Sequence, residues 1–199
     1  MTVAAAFVAV SMNAQYYVGG SIGFQNNKSY AATTETTTSG FNFAPEFGMA
    51  LDDKLGVGIL VDFGTNTNKT EFVGAAAGTP STDVTTTTID VRPYVRYQLL
   101  QWGKANIFID GALGLGFESQ KDMKSGMNLG LYASPGIAFN VSEKWSIVAH
   151  LNDMFGFTYR KGMVPDVAGA PDAPTSLRAG LSTGGFTSGN LRFGVYYNF

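Results

Sequence analysis

The chain has 199 residues, of which 14% are charged, and its formal net charge is −2. This length favours a single domain, and neither charge figure suggests a nucleic-acid-binding protein, which needs a clustered basic face. Hydrophobic residues make up 45% of the chain, but no apolar run approaches the about 18 residues that a transmembrane helix requires. The lack of cysteine excludes disulfides, thiolate metal sites and cysteine nucleophiles.

The first predicted element is a signal peptide over residues 1–14. Residues 3–10 are apolar but too few to span a bilayer, and small residues follow them up to Ala14. Because no Lys or Arg precedes the apolar residues, we expect the natural start of this segment to lie further upstream. A buried strand or helix is the alternative interpretation of these residues.

The rest of the chain alternates with the period of two that is typical of β-strands. The predicted strands cover residues 16–26, 41–51, 55–65, 86–100, 105–117, 127–141, 145–159 and 189–199. Many glycines, many aromatic residues and short apolar segments fit an all-β protein.

The connections between these strands alternate between short and long. Three are tight, at residues 52–54, 101–104 and 142–144, and the other four cover residues 27–40, 66–85, 118–126 and 160–188. Outer-membrane barrels have short periplasmic turns and longer outer loops. The pattern therefore predicts an eight-stranded antiparallel up-and-down transmembrane β-barrel over residues 15–199, with mobile outer loops and both chain ends on the side of the short turns.

The composition of the two strand faces indicates which face meets lipid. Each strand has one apolar face, and in the eighth strand this face carries Leu191, Phe193, Val195, Tyr197 and Phe199. The opposite faces of the strands are mostly Gly, Ala, Ser and Asn with few charges. A water-exposed surface would be dense in Lys and Glu. The interior of an eight-stranded barrel is narrow and is filled by side chains. The bulky apolar face therefore suits lipid, and the small polar face suits the interior.

The charged residues of the strands share the inward face. They are Glu46, Asp62, Asp90, Arg92, Arg96, Asp110 and Arg192, and the single histidine, His150, lies on the same face. An arginine at the lipid midplane would cost about 2–4 kcal/mol, and a buried unpaired charge would cost more. We therefore expect an inward charge network with Arg92, Arg96 and Arg192 at its centre. Several separate, water-bridged charges are the alternative.

A few residues depart from the pattern or mark the ends of the barrel. Asp153 falls on the lipid face of the seventh strand, which indicates either a position near the outer interface or a bulge that resets the face. Pro45, Pro93 and Pro135 lie inside strands, where each removes a backbone donor, so we expect bulges or local gaps there. Trp102 and Trp145 lie at short turns, as in a periplasmic aromatic girdle, although either could be a core residue.

The chain resembles the small outer-membrane β-barrel family, the OmpA/OmpX-like group, and especially the porin-like barrels of Bacteroidetes. The resemblance rests on residues 191–199 (LRFGVYYNF) and on proline-containing hairpins such as residues 45–58, and it extends over residues 15–199. It implies a bacterial outer-membrane location and contact with outer-membrane lipid. It also implies that Phe193, Val195, Tyr197 and Phe199 form the signal read by the barrel-assembly machinery.

The sequence predicts no catalytic, cofactor or metal site. A functional interpretation would pair His150 with Asp110 or a serine for hydrolysis, but the spacing assembles no recognisable triad. One histidine, no cysteine and scattered acids do not match metal-ligand spacing. The favoured function is a non-enzymatic barrel that meets an unknown extracellular ligand or partner through its outer loops. A narrow channel for ions or small solutes is the second hypothesis, and a lipid-modifying enzyme is the third.

The predicted cleavage site can be tested by intact-mass spectrometry of protein from its native membrane. The mass should correspond to a chain that starts at Gln15, because Ala14 is the last of the small residues that follow the apolar segment. A mass that includes Met1 would contradict the signal-peptide prediction.

Overall fold

The described part of the chain is built of antiparallel β-strands. The computed structural model describes residues 15–31, 33–72, 81–151, 153–181 and 192–199. The strands are β1 (Gln15–Ala31), β2 (Thr34–Ala50), β3 (Leu55–Phe72), β4 (Thr82–Trp102), β5 (Ala105–Gln120), β6 (Met123–Lys124), β7 (Gly126–Asn140), β8 (Trp145–His150), β9 (Phe155–Lys161), β10 (Val164–Pro165), β11 (Thr175–Leu181) and β12 (Arg192–Asn198). Within these ranges no helix is long and apolar enough to cross a membrane. The predicted signal peptide, residues 1–14, lies outside the described residues and stays a prediction.

The sheet closes on itself to form a barrel. β12 pairs with β1 on one side and with β8 on the other, with Tyr17 opposite Asn198 and His150 opposite Arg192. The order around the barrel is β1, β2, β3, β4, β5, β7, β8 continued by β9, and β12. Closure removes the free sheet edges that hydrocarbon could not satisfy with hydrogen bonds. The prediction of an eight-stranded antiparallel barrel is confirmed.

The three short turns are confirmed, and two of them are held by a side chain. Asp52 Oδ1 accepts hydrogen bonds from the backbone N–H groups of Lys54 at 2.7 Å and Leu55 at 2.8 Å. These two donors hold the pKa of the Asp52 carboxyl below its usual value. Ser142 Oγ similarly accepts from the N–H groups of Lys144 at 3.3 Å and Trp145 at 3.1 Å. Side chains of this kind fix a tight turn without help from tertiary contacts.

The predicted long loops were wrong in extent, because much of their sequence continues the strands. β1 and β2 stay paired up to Ala31 opposite Thr34, so the loop expected at residues 27–40 is a tight hairpin. β3 and β4 are paired as far as Thr70 opposite Thr82, and residues 73–80 lie outside the described ones. These outer strand segments have polar side chains on both faces. The alternation that reveals a strand is therefore missing from their sequence.

Parts of the last two predicted loops also belong to strands. β5 reaches Gln120 and β7 begins at Gly126, which leaves little of the predicted loop at residues 118–126. β11 lies within the predicted loop at residues 160–188 and pairs with β9. The short strands β6 and β10 pair with each other and join these two connections.

The three strand prolines sit at local gaps in the hydrogen-bond ladder. The pairing of β2 with β3 is interrupted at Pro45, and the pairing of β4 with β5 is interrupted at Pro93. Each pair of strands has the same register on both sides of its gap. At Pro135 the seventh barrel strand breaks between β8 and β9. There the pairs Gly136–His150 and Ala133–Phe155 differ in register by two residues. An insertion of two residues preserves the faces of both segments, because side chains alternate with period two.

The large apolar side chains cover the outside of the barrel. Phe43, Phe63, Leu113, Leu131 and Phe193 are 44–57% exposed, whereas the inward Ala44 and Val148 are 0% exposed. A water-soluble barrel would have the opposite distribution. This outward apolar face is the one that the sequence pattern predicted for contact with lipid.

A charge placed on the outward face should be costly in proportion to its depth. Leu113→Arg lies at the middle of β5 and should lower the free energy of unfolding in lipid vesicles by about 2–4 kcal/mol. Ser119→Arg is the matched control, since it is on the same face about 20 Å further along the strand, and should cost about 0–1 kcal/mol. Reversible urea unfolding measures both, and equal costs would contradict the lipid-facing assignment.

Candidate functional site: a plugged barrel interior

The middle of the barrel is filled by side chains that we call the plug. It consists of Tyr17, Glu46, Tyr94, Arg96, Phe108, Asp110, His150 and Tyr196. The alternation of each strand turns these residues inward, and β1, β2, β4, β5, β8 and β12 each contribute at least one of them. Glu46, Asp110 and His150 are buried, as are the four aromatic rings.

Arg96 is the centre of the plug. Its Nε donates to Asp110 Oδ1 at 2.7 Å and its Nη2 donates to Asp110 Oδ2 at 2.8 Å, and Nη2 also donates to Glu46 Oε1 at 3.0 Å. The guanidinium carbon lies 3.9 Å from the centre of the Phe108 ring and 5.1 Å from that of Tyr94. A two-point ion pair with stacked aromatic rings is the arrangement for which a planar guanidinium is best suited.

Glu46 gathers most of the remaining donors of the plug. Tyr94 Oη donates to Glu46 Oε1, and Tyr196 Oη donates to Oε2 at 2.7 Å. His150 Nε2 lies 2.8 Å from Tyr196 Oη and 3.5 Å from Glu46 Oε2. Both carboxylate oxygens therefore have partners, as a buried charge requires.

Two further groups of charges lie outside the plug, and a small apolar cluster of Ala44, Leu60 and Ala112 packs against the plug residue Tyr94. Arg92 donates to Asp90 and to Asp153, each at 3.1 Å, and its guanidinium lies 4.4 Å from the centre of the Tyr132 ring. Ser134 Oγ also donates to Asp153. Arg192 pairs separately with Asp62 at 2.6 Å.

The structure places the predicted charged residues in three groups rather than in one network. Arg92, Arg96 and Arg192 each have their own carboxylates, because an arginine can bond only to acids within its reach. This corrects the expected single network centred on three arginines. Asp153 turns inward at the break between β8 and β9, although its position in the sequence put it on the lipid face.

Sequence reasoning missed several residues of this interior. The aromatic members Tyr17, Tyr94, Phe108 and Tyr196 lie on the inward face of their strands, which is otherwise small and polar. Bulky rings at inward positions of a narrow barrel were the available signal for a plug. Ser134, which bonds to Asp153, carried no such signal.

The plug separates two cavities. The outer chamber, of about 390 Å³, lies beside the outer parts of β1–β4, and its walls include Asp62, Asp90 and Arg92. The turn-side chamber, of about 670 Å³, lies beside the short turns, and its walls include Asp52, Lys104 and Tyr196. No residue lines both chambers. A solute entering the turn-side chamber therefore meets Arg96, Phe108 and Tyr196 of the plug, none of which lines the outer chamber.

The geometry does not assemble a hydrolytic site around His150. Its polar neighbours are Tyr196, Glu46 and, at 4.0 Å, Asp110, and its side chain is only 2% exposed. A nucleophile would need to contact both the base and a substrate. In the described parts of the chain no group of His, Asp and Glu side chains is arranged to hold a metal ion.

The two predicted girdle tryptophans lie on the exterior at the turn end of the barrel. Trp102 is 83% exposed. Trp145 packs edge-on against Tyr197 at 4.9 Å between ring centres, and Tyr197 packs in turn against Phe199. Neither tryptophan is a core residue.

The ion pairs of the plug predict a large stability loss on removal of Arg96. Arg96→Met keeps similar length but leaves Glu46 and Asp110 buried without their cation, which should lower the free energy of unfolding by about 3–5 kcal/mol. Arg178→Met, an exposed position on β11, is the control and should change it little. Denaturant unfolding in the same detergent compares the two, and equal stability of both variants would contradict the role of Arg96.

Comparison with known proteins places this geometry in a family. A sequence model described as outer membrane protein beta-barrel domain matches residues 1–199, whereas no curated protein matches the chain significantly. Among solved structures, the outer membrane protein OprG from Pseudomonas aeruginosa has a TM-score of 0.52 at 12% identity, covering 94% of this chain and 95% of that chain. A major outer membrane protein from Thermus thermophilus has a TM-score of 0.50 at 17% identity, covering 94% of this chain and 100% of that chain.

At these identities the structural likeness shows the fold alone. The family match extends over the whole sequence, and its fold agrees with the closed barrel and the outward apolar face. The chain therefore belongs to the outer membrane protein beta-barrel domain family and resides in the bacterial outer membrane.

Proposed function

We propose that the protein is a non-enzymatic, non-conducting barrel whose outer hairpins meet partners at the cell surface. The observation that carries this proposal is the plug, which lies across the middle of a barrel that is already narrow. Its central guanidinium is held by two carboxylates at 2.7–3.0 Å. Opening a path would require breaking these buried ion pairs.

The outer hairpins are the second support for the proposal. We define them as residues 26–31, 34–39, 66–72 and 82–87, the polar ends of β1–β4. Thr38 Oγ1 donates to Asn68 Oδ1 at 2.7 Å, and the hydroxyls of Thr67 and Thr85 are 2.9 Å apart. Lys69 and Glu71 form an ion pair at 2.6 Å. Paired strands hold these groups in place before a partner arrives, which lowers the entropy cost of binding.

The end of the chain supports a proposal for assembly. Phe193, Val195 and Phe199 are exposed on the outward face of the closing strand and its end, and Tyr197 lies among them. We propose that these four residues are read by the barrel-assembly machinery, and that Trp102 and Trp145 form an aromatic girdle in contact with the periplasmic lipid interface.

Planar-bilayer recording tests the absence of a conducting path. The wild-type protein should show no large, steady current steps. Phe108→Ala combined with Tyr196→Ala should produce them, because it removes two rings of the plug, whereas Phe139→Ala with Phe157→Ala on the outward face should not. Large, steady single-channel steps from the wild type would overturn the proposal in favour of a narrow channel.

A further inference from the structure

His150 is the member of the plug whose residue type changes charge near neutral pH. It is the single histidine of the chain. Its Nε2 atom lies 2.8 Å from Tyr196 Oη, and that hydroxyl donates its one proton to Glu46 Oε2 at 2.7 Å. Because an ionised carboxylate only accepts, Tyr196 Oη must accept from His150, so Nε2 carries a proton. The charge of the ring then depends on whether Nδ1 carries a proton as well.

The charged groups around this ring are two carboxylates and one guanidinium. Glu46 Oε2 of β2 lies 3.5 Å from Nε2, and Asp110 Oδ2 of β5 lies 4.0 Å from Nδ1. Arg96 of β4 bonds to both carboxylates. With a neutral His150 the plug would therefore carry one net negative charge, although the side chains of Glu46 and Asp110 are only 1% and 9% exposed. A proton on Nδ1 would balance two cations with two carboxylates.

The other groups that face His150 do not supply this second cation. Arg192 of β12 is directly opposite His150 in the strand pairing, but its guanidinium is paired with Asp62 at 2.6 Å. Gly136 is opposite His150 on β7, and the Phe108 ring lies edge-on with its centre 5.6 Å away. The tyrosines of the plug are neutral below about pH 10. The ring of His150 is therefore the one group that could neutralise the plug.

The interior as a whole has the same excess of negative charge. Its three groups of charges contain five carboxylates and three guanidinium groups. The excess carboxylate of the Arg92 group is more accessible, since the Asp153 side chain is 27% exposed. The plug is more deeply buried, and an uncompensated buried charge strongly destabilises a fold.

We propose that a protonated His150 is the second cation of the plug and makes the plug sensitive to pH. While both ring nitrogens carry protons, the buried charges balance and the plug is most stable. As the pH rises and Nδ1 loses its proton, one negative charge is left without a partner and the plug is weakened. The folded barrel then binds this proton more tightly than the unfolded chain does, so stability falls with rising pH. The inference rests on the proposed function in one respect, since it concerns the plug that closes the lumen.

Nitrogen-15 NMR tests the charge of the ring directly. The full chain is labelled at histidine and refolded in detergent without a histidine tag, so that His150 gives the only signals. At pH 7.5 the two ring nitrogens should resonate close together, as they do when both are protonated, although a histidine in water is mostly neutral at this pH. Widely separated signals at pH 7.5 would show a neutral ring and overturn the proposal.

Thermal unfolding tests the consequence for the plug. The wild-type melting temperature should be about 3–6 °C lower at pH 9 than at pH 6. His150→Gln keeps a donor for Tyr196 but cannot carry the charge, so its melting temperature should differ little between the two pH values. A wild-type protein that is equally stable at both pH values, or more stable at pH 9, would contradict the proposal. If His150→Gln does not fold, the wild-type measurements still decide.

A double-mutant cycle at pH 6 separates charge from packing. In the wild type, Asp110→Asn leaves two cations with one carboxylate, whereas in His150→Gln it leaves Arg96 balanced by Glu46. Asp110→Asn should therefore lower the melting temperature less in the His150→Gln background than in the wild type. Equal losses in the two backgrounds would mean that His150 is uncharged in the plug.

Conductance at pH 6 keeps this inference distinct from the proposed function. Large, steady current steps at pH 6 together with a protonated ring would overturn the non-conducting function and leave the charge of His150 in place. A neutral ring together with the absence of such steps would overturn the charge assignment and leave the closed plug in place.

Discussion

Hydrocarbon cannot hydrogen-bond to a peptide group, and the rest of this structure depends on that constraint. A wall of strands within a bilayer must pair all its edges, so β12 returns to β1 and the sheet becomes a barrel. The constraint also inverts the usual distribution of side chains. The bulky apolar residues cover the outside, and the small and charged residues are left with a narrow interior.

The interior then determines what the barrel can do. A charge in this space is cut off from most of the solvent, so each arginine must lie beside its own carboxylates. Arg96 meets this requirement with Asp110 and Glu46, and the tyrosine hydroxyls around them complete the bonding of Glu46. The same contacts that satisfy these charges also close the lumen. On the outer side of the plug, inward glycines make room for neighbouring polar side chains, as Gly64 does for Thr88, and a chamber of about 390 Å³ lies beside them.

The sequence was sufficient to predict the strand number, the short turns and the two faces, because alternation with period two records which side of a strand meets lipid. It failed for the outer strand segments, such as residues 34–40, since both of their faces are polar and their threonines do not alternate with apolar residues. Threonine favours strands through its branched side chain, and this weaker signal was the one available. The inward position of Asp153 could not be predicted from the alternation. The break between β8 and β9 adds two residues and leaves the faces of both strands unchanged, so the sequence pattern does not reveal it.

The grouping of the charges could not be predicted for a different reason. The alternation along a strand shows which residues point into the barrel, but not how far along the barrel axis each of them lies. Contacts such as that of Arg96 with Glu46 join residues 50 positions apart. Which residues meet in the plug depends on their positions along the barrel axis, and strand register sets those positions. The register of a closed barrel is set by all of its strands together.

The most direct test of the account is which β5 residues touch lipid. The chain has no cysteine, so single-cysteine variants along residues 106–117 can each carry one fluorescent label in lipid vesicles. Quenching by spin-labelled lipid should alternate with period two, strong at Leu113 and Leu115 and weak at Ala112 and Gly114. Uniform quenching, or quenching strongest at the even-numbered positions, would contradict the lipid-facing assignment and with it the closed, plugged interior.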